Sequence, residues 1–291
     1  MNRAAPRSRL TVLITGGAGG IGQAAARQLA GVGHAVYAAD VVYDQQQTTE
    51  HGITSMPLDV TNRDSIAALV NRITDETDGA GPDVLINCAG YSTPGPIELI
   101  PLSEWQRLFE VNLFGLVAVT QACVPSMRSR TSQQPARIIN IGSLIGRLPH
   151  PLSAPYCASK HALVAVNEAL RCELAQFGIP VILIEPGPIR TPFFAQMQDN
   201  LDRVRATTRH EPGSESYTES LKQAQAVFEY YGNRAPGPDV VADCIARAIQ
   251  AKRPRAHYTV PRHNTLRRMG YRVMPTWLTD RMMRRLFHLD R

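Results

Sequence analysis

The chain predicts an α/β fold: a single-domain, doubly wound parallel sheet with a small C-terminal lid. Three observations carry that expectation. Apolar runs of strand length alternate with helix-like stretches from Leu10 to Pro186. The first such run leads straight into a glycine-rich turn followed by a helix. Between Pro192 and Pro238 the rhythm breaks into polar sequence, which marks the lid. With 291 residues there is enough chain for one large core. Residues 10–261 are therefore read as the domain, with the lid over about 192–238. A loose tail, 1–9, precedes it, and a basic amphipathic tail, 262–291, follows.

Leu10 to Thr15 is rich in β-branched and aliphatic residues and reads as the first strand. Gly16-Gly17-Ala18-Gly19-Gly20-Ile21-Gly22 follows, and then good helix formers from Gln23 to Ala30. Glycines let the backbone come close to a pyrophosphate, and a helix N-terminus offers it unpaired N–H groups. The second strand, His34 to Ala39, ends in Asp40, close to the ~20-residue spacing of an acid that holds a ribose hydroxyl. A carboxylate there repels a 2′-phosphate, and neither Gly17 nor Val41 supplies a cation to attract one. NAD is thus preferred over NADP, although Arg27 and more distant arginines keep dual use open. Toward the C-terminus, Asp239 caps a helix reaching Ala251, and His257 to Val260 add a last strand. In between, Phe193, Phe194 and Met197, with Val227, Phe228, Tyr230 and Tyr231, are candidates either for an apolar pocket or for ordinary helix packing.

Tyr156 and Lys160 stand four residues apart, and side chains at that spacing share one helix face. A free phenol has a pKa of about 10 and is a poor acid–base group near neutrality. A neighbouring ammonium favours the phenolate, and a fall of roughly 2–3 in that pKa corresponds to about 3–4 kcal/mol. Ser143, at the end of the apolar run from Ile138, adds a hydroxyl upstream.

Taken together, these segments resemble the short-chain dehydrogenase/reductase family over roughly residues 10–260. The turn Thr15-Gly16-x-x-x-Gly20-Ile21-Gly22 is similar to that family's cofactor turn. Leu58-Asp59-Val60 looks like its adenine-contacting segment. Asn87-Cys88-Ala89-Gly90 looks like its Asn-Asn-Ala-Gly element, with Cys88 in place of the second Asn. The resemblance implies a Rossmann-like fold and a catalytic set of Asn112, Ser143, Tyr156 and Lys160. Asn112 would hold a water behind the lysine, and Lys160 would also bind the nicotinamide ribose. It further implies cofactor contacts at Gly16, Gly20, Ile21, Gly22, Asp40, Asp59, Val60, Asn87, Ala89, Gly90, Tyr156 and Lys160. Pro186, Gly187, Ile189 and Thr191 would close over the nicotinamide. The wording of residues 156–163 and 184–193 is closest to the hydroxysteroid and retinol dehydrogenase branch. By analogy, that implies a hydrophobic alcohol or ketone as substrate. Two rival classes stand beside this: a non-catalytic NAD-binding regulator, and an isomerase or dehydratase that recycles bound NAD.

Composition narrows the partners. The formal charge of +6 is uneven: residues 252–291 carry one Lys and ten Arg against Asp280 and Asp290, so the remainder is net acidic. A basic groove for nucleic acid over the main domain is unsupported. Cys88, Cys123, Cys157, Cys172 and Cys244 lack paired spacings, so neither a disulfide frame nor a metal site is expected. No apolar run reaches ~18 residues, so no transmembrane helix is expected, and the first nine residues lack an apolar signal core. A cytoplasmic homo-dimer or homo-tetramer is the expectation. Leu278, Met282, Leu286 and Leu289 share a helical face among arginines. That face is read either as packing on protein or as peripheral membrane contact.

Overall fold

The computed structural model describes residues 9–289, apart from 50–51, 130–135, 149, 209–210, 263, 266–269 and 271–273. Most of the N-terminal tail, residues 1–8, lies outside the described residues. The domain is an eight-stranded sheet. Its strands are β1 (Thr11–Thr15), β2 (Ala35–Asp40), β3 (Gln47–Thr48), β4 (Ile53–Pro57), β5 (Val84–Asn87), β6 (Arg137–Ile141), β7 (Val181–Pro186) and β8 (His257–Val260). Their spatial order is β3-β4-β2-β1-β5-β6-β7-β8, and every pairing is parallel except β3 with β4.

Alternation along the strands builds a core on each face. On β1, Val12 and Ile14 join one cluster with Ala25 and Leu29 of α1 (Gly20–Gly31) and Ile245 of α8 (Asp239–Gln250). Leu13, between them, points to the other face. There it meets Leu69 and Ile73 of α2 (Arg63–Glu76) and Val119 and Cys123 of α4 (Leu116–Arg128). Strands buried on both faces read as nearly continuous apolar runs, which is how β1, β6 and β7 appear in the sequence. Chain order reverses between β1 and β5, and a crevice opens beyond the carboxyl ends of strands at such a switch point.

Helix α3 (Leu102–Phe109) continues through a π-helical turn, Glu110–Gly115, into α4. The combined helix, Leu102–Arg128, is long and apolar enough to cross a membrane by length and composition, although no single apolar run in the sequence is. Its inward stripe of Leu108, Leu113, Leu116, Val119, Cys123 and Met127 is buried in the domain, together with the polar Asn112 and Thr120. Helix α5 (Ala154–Leu174) lies beside it, Leu163 joining Leu113 and Leu116.

The lid is a third core. Helices α6 (Phe193–Thr208) and α7 (Thr218–Arg234) enclose Met197, Leu201, Leu221, Ala224, Val227 and Phe228. The C-terminal α9 (Thr276–Leu286) docks on the same cluster through Met283 and Leu286, and Phe287 just beyond it is fully buried. This packing corrects the predicted face. Leu278 and Met282 remain exposed, because the stripe that meets the lid is rotated one residue onward, to Met283 and Phe287. His288 adopts φ 51, so Leu289 reaches the cluster from beyond the helix.

Candidate active site

A cavity of about 630 Å³ runs along the carboxyl edge of the sheet from the β1–α1 turn to the lid. At one end lies the glycine turn. Gly16 has φ 69, and a Cβ there would sit 2.8 Å from the Ala89 backbone, so only glycine fits. A side chain on Gly22 would overlap the Gly16 carbonyl, and one on Gly20 would meet Thr191. Gly19 precedes α1 without a capping side chain, which leaves the helix's first N–H groups for a ligand. Asp40 stands beside the turn, its carboxylate accepting from the N–H of Ala18 at 3.0 Å and of Val42 at 3.3 Å. Thr15 Oγ1 accepts from the N–H groups of Cys88 and Ala89 at 3.1 and 3.3 Å, which ties the turn to the end of β5. Backbone cleared of side chains, bare helix amides and a carboxylate form a cradle that fits a dinucleotide.

Midway along lie the groups for chemistry. Ser143 leaves β6 and caps a short 3-10 turn, its Oγ accepting from the Ile145 N–H at 3.3 Å. Tyr156 and Lys160 project from the first turns of α5. The Tyr156 phenol faces the Ser143 side chain, and its ring packs on Phe193 at 5.6 Å. Lys160 Nζ donates to the Ile141 carbonyl at 3.0 Å and stands 5.7 Å from the centre of the Tyr156 ring. Burial drives the two groups toward their neutral forms. It raises the phenol's pKa, an effect only partly opposed by Ser143, and lowers that of the Lys160 ammonium to about 8. In the protein alone desolvation is the largest influence on the phenol and acts against the phenolate.

The cavity brings together Gly16, Gly20, Ile21, Gly22, Asp40, Gly90, Ser143, Tyr156, Lys160, Pro186, Gly187, Ile189 and Thr191. Other predicted contacts stand off its wall. Asn87 turns inward, donating to Thr120 at 3.1 Å and Asn140 at 2.9 Å within a buried amide chain that continues to Asn167. Asp59 holds the turn before α2 by accepting from the Thr61 N–H and hydroxyl. Val60 is buried against Gly115. Ala89 acts through its backbone N–H, toward Thr15. Asn112, on the π-helical turn, accepts from the Tyr91 N–H at 3.0 Å and donates to the Tyr91 carbonyl at 2.9 Å and to Ser159 at 3.2 Å. Its amide is committed to the backbone behind Gly90. A Cβ on Gly90 would lie 3.0 Å from Asn112 Oδ1 and 3.7 Å from Lys160 Nζ. Leu148, His150, Met283 and Leu286 also line the cavity and were not read from the sequence as site residues. For the last two, the i, i+3 spacing on a basic helix was the available signal.

Comparison with known proteins agrees with this geometry. Residues 10–202 match the family model for short chain dehydrogenases. Rat (Rattus norvegicus) retinol dehydrogenase 7 is 31% identical over 92% of this chain and 86% of its own. Human (Homo sapiens) 17-beta-hydroxysteroid dehydrogenase type 6 is 29% identical over 94% and 87%. An NADPH-dependent 3-dehydrocapnine reductase of Ornithobacterium rhinotracheale is 28% identical over 96% of both chains. Among solved structures, a short chain dehydrogenase/reductase of Burkholderia phymatum in complex with NAD superposes with a TM-score of 0.74. It is 22% identical, covering 91% of this chain and 94% of that one. With fold, cavity and sequence in agreement, the chain belongs to the short-chain dehydrogenase family.

Proposed function

We propose that the protein is an NAD-preferring oxidoreductase that interconverts a hydroxyl and a carbonyl group on a predominantly apolar substrate. The observation that carries this is the Tyr156 phenol facing Ser143 beside the Lys160 ammonium, on the wall of a cavity continuous with the glycine turn. Tyr156 moves the proton: as a phenol it gives one to a carbonyl oxygen, and as a phenolate it takes one from an alcohol. Ser143 Oγ donates a hydrogen bond to the same substrate oxygen and stabilises the charge that develops on it. Lys160 keeps a positive charge near the phenol. Gly16, Gly20, Gly22, Asp40, Gly90 and the segment Pro186–Thr191 would hold a nicotinamide dinucleotide, which when bound supplies the hydride-accepting and hydride-donating ring. Phe193, Phe194, Met197, Phe228, Met283 and Leu286 give the substrate end an apolar wall, in keeping with an alcohol or ketone of low polarity.

The preference for NAD rests on Asp40, whose carboxylate faces the turn and would repel a 2′-phosphate. NADH formation is the test, with a panel of steroid, retinoid and long-chain alcohols and both cofactors. Wild type should reduce NAD with at least one apolar alcohol. Tyr156→Phe should lose about a hundredfold or more in kcat while still binding NAD. Full activity in that variant would remove Tyr156 from the chemistry, and a large preference for NADP would refute the role given to Asp40.

A further inference from the structure

His150 lies on the cavity wall at the lid end, on the loop before α5. Its ring packs edge-on to Phe287 at 4.7 Å and stacks with Phe228 at 6.2 Å, so two lid residues fix its plane. Nδ1 is 3.2 Å from the Pro151 carbonyl oxygen. A carbonyl only accepts, so Nδ1 carries the hydrogen and Nε2 carries the lone pair. Burial between these rings pushes the imidazole pKa down to about 4, which keeps it neutral at physiological pH. Among the described residues Nε2 has no hydrogen-bond partner, and the ring faces a cavity whose lid end is otherwise mostly apolar.

We propose that His150 is a specificity determinant, its Nε2 accepting a hydrogen bond from a second donor group, a hydroxyl or N–H, that the substrate carries away from its reacting carbon. The inference rests on the dehydrogenase reading and sharpens its substrate class: an apolar alcohol or ketone with a distant donor, rather than a simple hydrocarbon alcohol. A substrate with a wholly apolar tail would strip water from Nε2 and return nothing. A site that leaves a buried polar group unpaired discriminates against such a ligand. An ether oxygen in the same place is no better, because Nε2 has no hydrogen to give.

Three probes of similar length separate these cases: decanol, terminal decanediol and the monomethyl ether of that diol, which keeps an oxygen but loses the donor. Initial NADH formation gives kcat/KM for each. Wild type should favour the diol over the ether by about tenfold, after a twofold allowance for its two equivalent ends. His150→Phe keeps an aromatic ring between Phe228 and Phe287 but has no acceptor. It should erase the preference by lowering the diol and sparing the ether. His150→Gln, which regains an acceptor oxygen, should restore part of it. NAD titration of each variant verifies that the fold and cofactor end are intact. Equal turnover of diol and ether by wild type would overturn the proposal, and so would an equal loss on both in His150→Phe, which marks a packing role. Should no alcohol be oxidised, the dehydrogenase reading falls. Equilibrium binding of diol and ether to the NAD-loaded protein then reads His150 independently, and equal affinities would overturn the proposal.

Discussion

Lys160 Nζ lies 5.7 Å from the centre of the Tyr156 ring, but its hydrogen bond in the protein goes to the Ile141 carbonyl at 3.0 Å. The ammonium is therefore moored to the end of β6, the strand that delivers Ser143, and one lysine links both halves of the proton-transfer pair. Its burial has a cost that depends on pH. The folded pKa is about 8 against 10.5 for the free side chain, so between these values the unfolded chain binds more protons than the folded one. Stability of the cofactor-free protein consequently rises with pH across that window, by on the order of 3 kcal/mol when complete. Tyr156 works in the opposite sense. Its raised pKa removes stability as pH climbs beyond the free phenol value of 10.0. Urea unfolding of wild type and Lys160→Met at pH 7 and pH 9.5 (roughly) separates the effects. Wild type should gain stability relative to the variant as pH rises, and an unchanged difference would show that the ammonium is solvated.

Asn112 offers a second measurement. Its amide satisfies both the N–H and the C=O of Tyr91 and reaches Ser159 from a buried π-helical turn. π-Turns inside α-helices often mark functional positions, and this one aims a side chain across the helix at the loop that carries Gly90. Replacing Asn112 with Ala leaves two backbone groups without partners, at about 1–3 kcal/mol each. Asn112→Ala should therefore lower stability by roughly 2–6 kcal/mol and reduce turnover as the Gly90 loop loosens. Activity loss without any fall in the urea midpoint would favour a direct part in proton movement instead.

Much of this arrangement was legible because local chemistry dictated it. The glycine turn could be read because Gly16 needs a positive φ and Gly22 must clear the Gly16 carbonyl. The shared orientation of Tyr156 and Lys160 followed from helical spacing alone. Strand and helix at 239–260 were legible from one capping aspartate and one short β-branched run. What was lost depended on partners distant in sequence. The phase of α9 is set by Leu221, Val227 and Phe228, some 60 residues earlier, so the helix's own pattern found Leu286 and Leu289 but missed Met283 and Phe287. The protein partners of Asn87 and Asn112 could not be read either, because β6, α5 and the Tyr91 backbone that meet them lie elsewhere in the chain. Burial of the Tyr156 phenol was likewise invisible: a neighbouring cation can be read in sequence, but depth of burial cannot.

A charge cluster next to the site gives a third test. Glu185 is fully buried at the end of β7, immediately before Pro186 and Gly187, which line the cavity. Arg147, four residues beyond Ser143, pairs with it at 2.7 Å, and His257 of β8 stands 3.7 Å away. The pair fastens the serine loop to the segment that would close over the nicotinamide. Removing one member of a buried pair strands a charge, typically at 3–5 kcal/mol. Arg147 keeps 30% of its side chain exposed, so about 2–3 kcal/mol is the expectation for Arg147→Met. Cofactor affinity should fall with it, and Arg147→Lys should recover part of both. A thermal scan unchanged from wild type would show that water or His257 already compensates Glu185.

The lid makes the last prediction. Phe287 has no exposed surface, touches His150 edge-on, and belongs to the cluster that α6, α7 and α9 share. Truncating a buried phenylalanine usually costs about 3–5 kcal/mol, through lost burial and the cavity left behind. Here the loss falls on the lid, whose core is separate from the two clusters on the sheet faces. Phe287→Ala should therefore release α9 locally rather than unfold the domain. Met283 and Leu286 would leave the cavity wall with it. The expected signature is a KM for apolar alcohols raised about tenfold or more, from loss of the apolar area they cover. NAD affinity should stay within about twofold, because the glycine turn and Asp40 lie at the other end of the cavity, in keeping with the additivity of distant sites. Hydrogen exchange should speed up along 276–286 and stay slow in β1 and α1. If NAD binding were lost along with substrate binding, the lid and the dinucleotide cradle would be one cooperative unit, and the independence argued from the separate cores would be wrong.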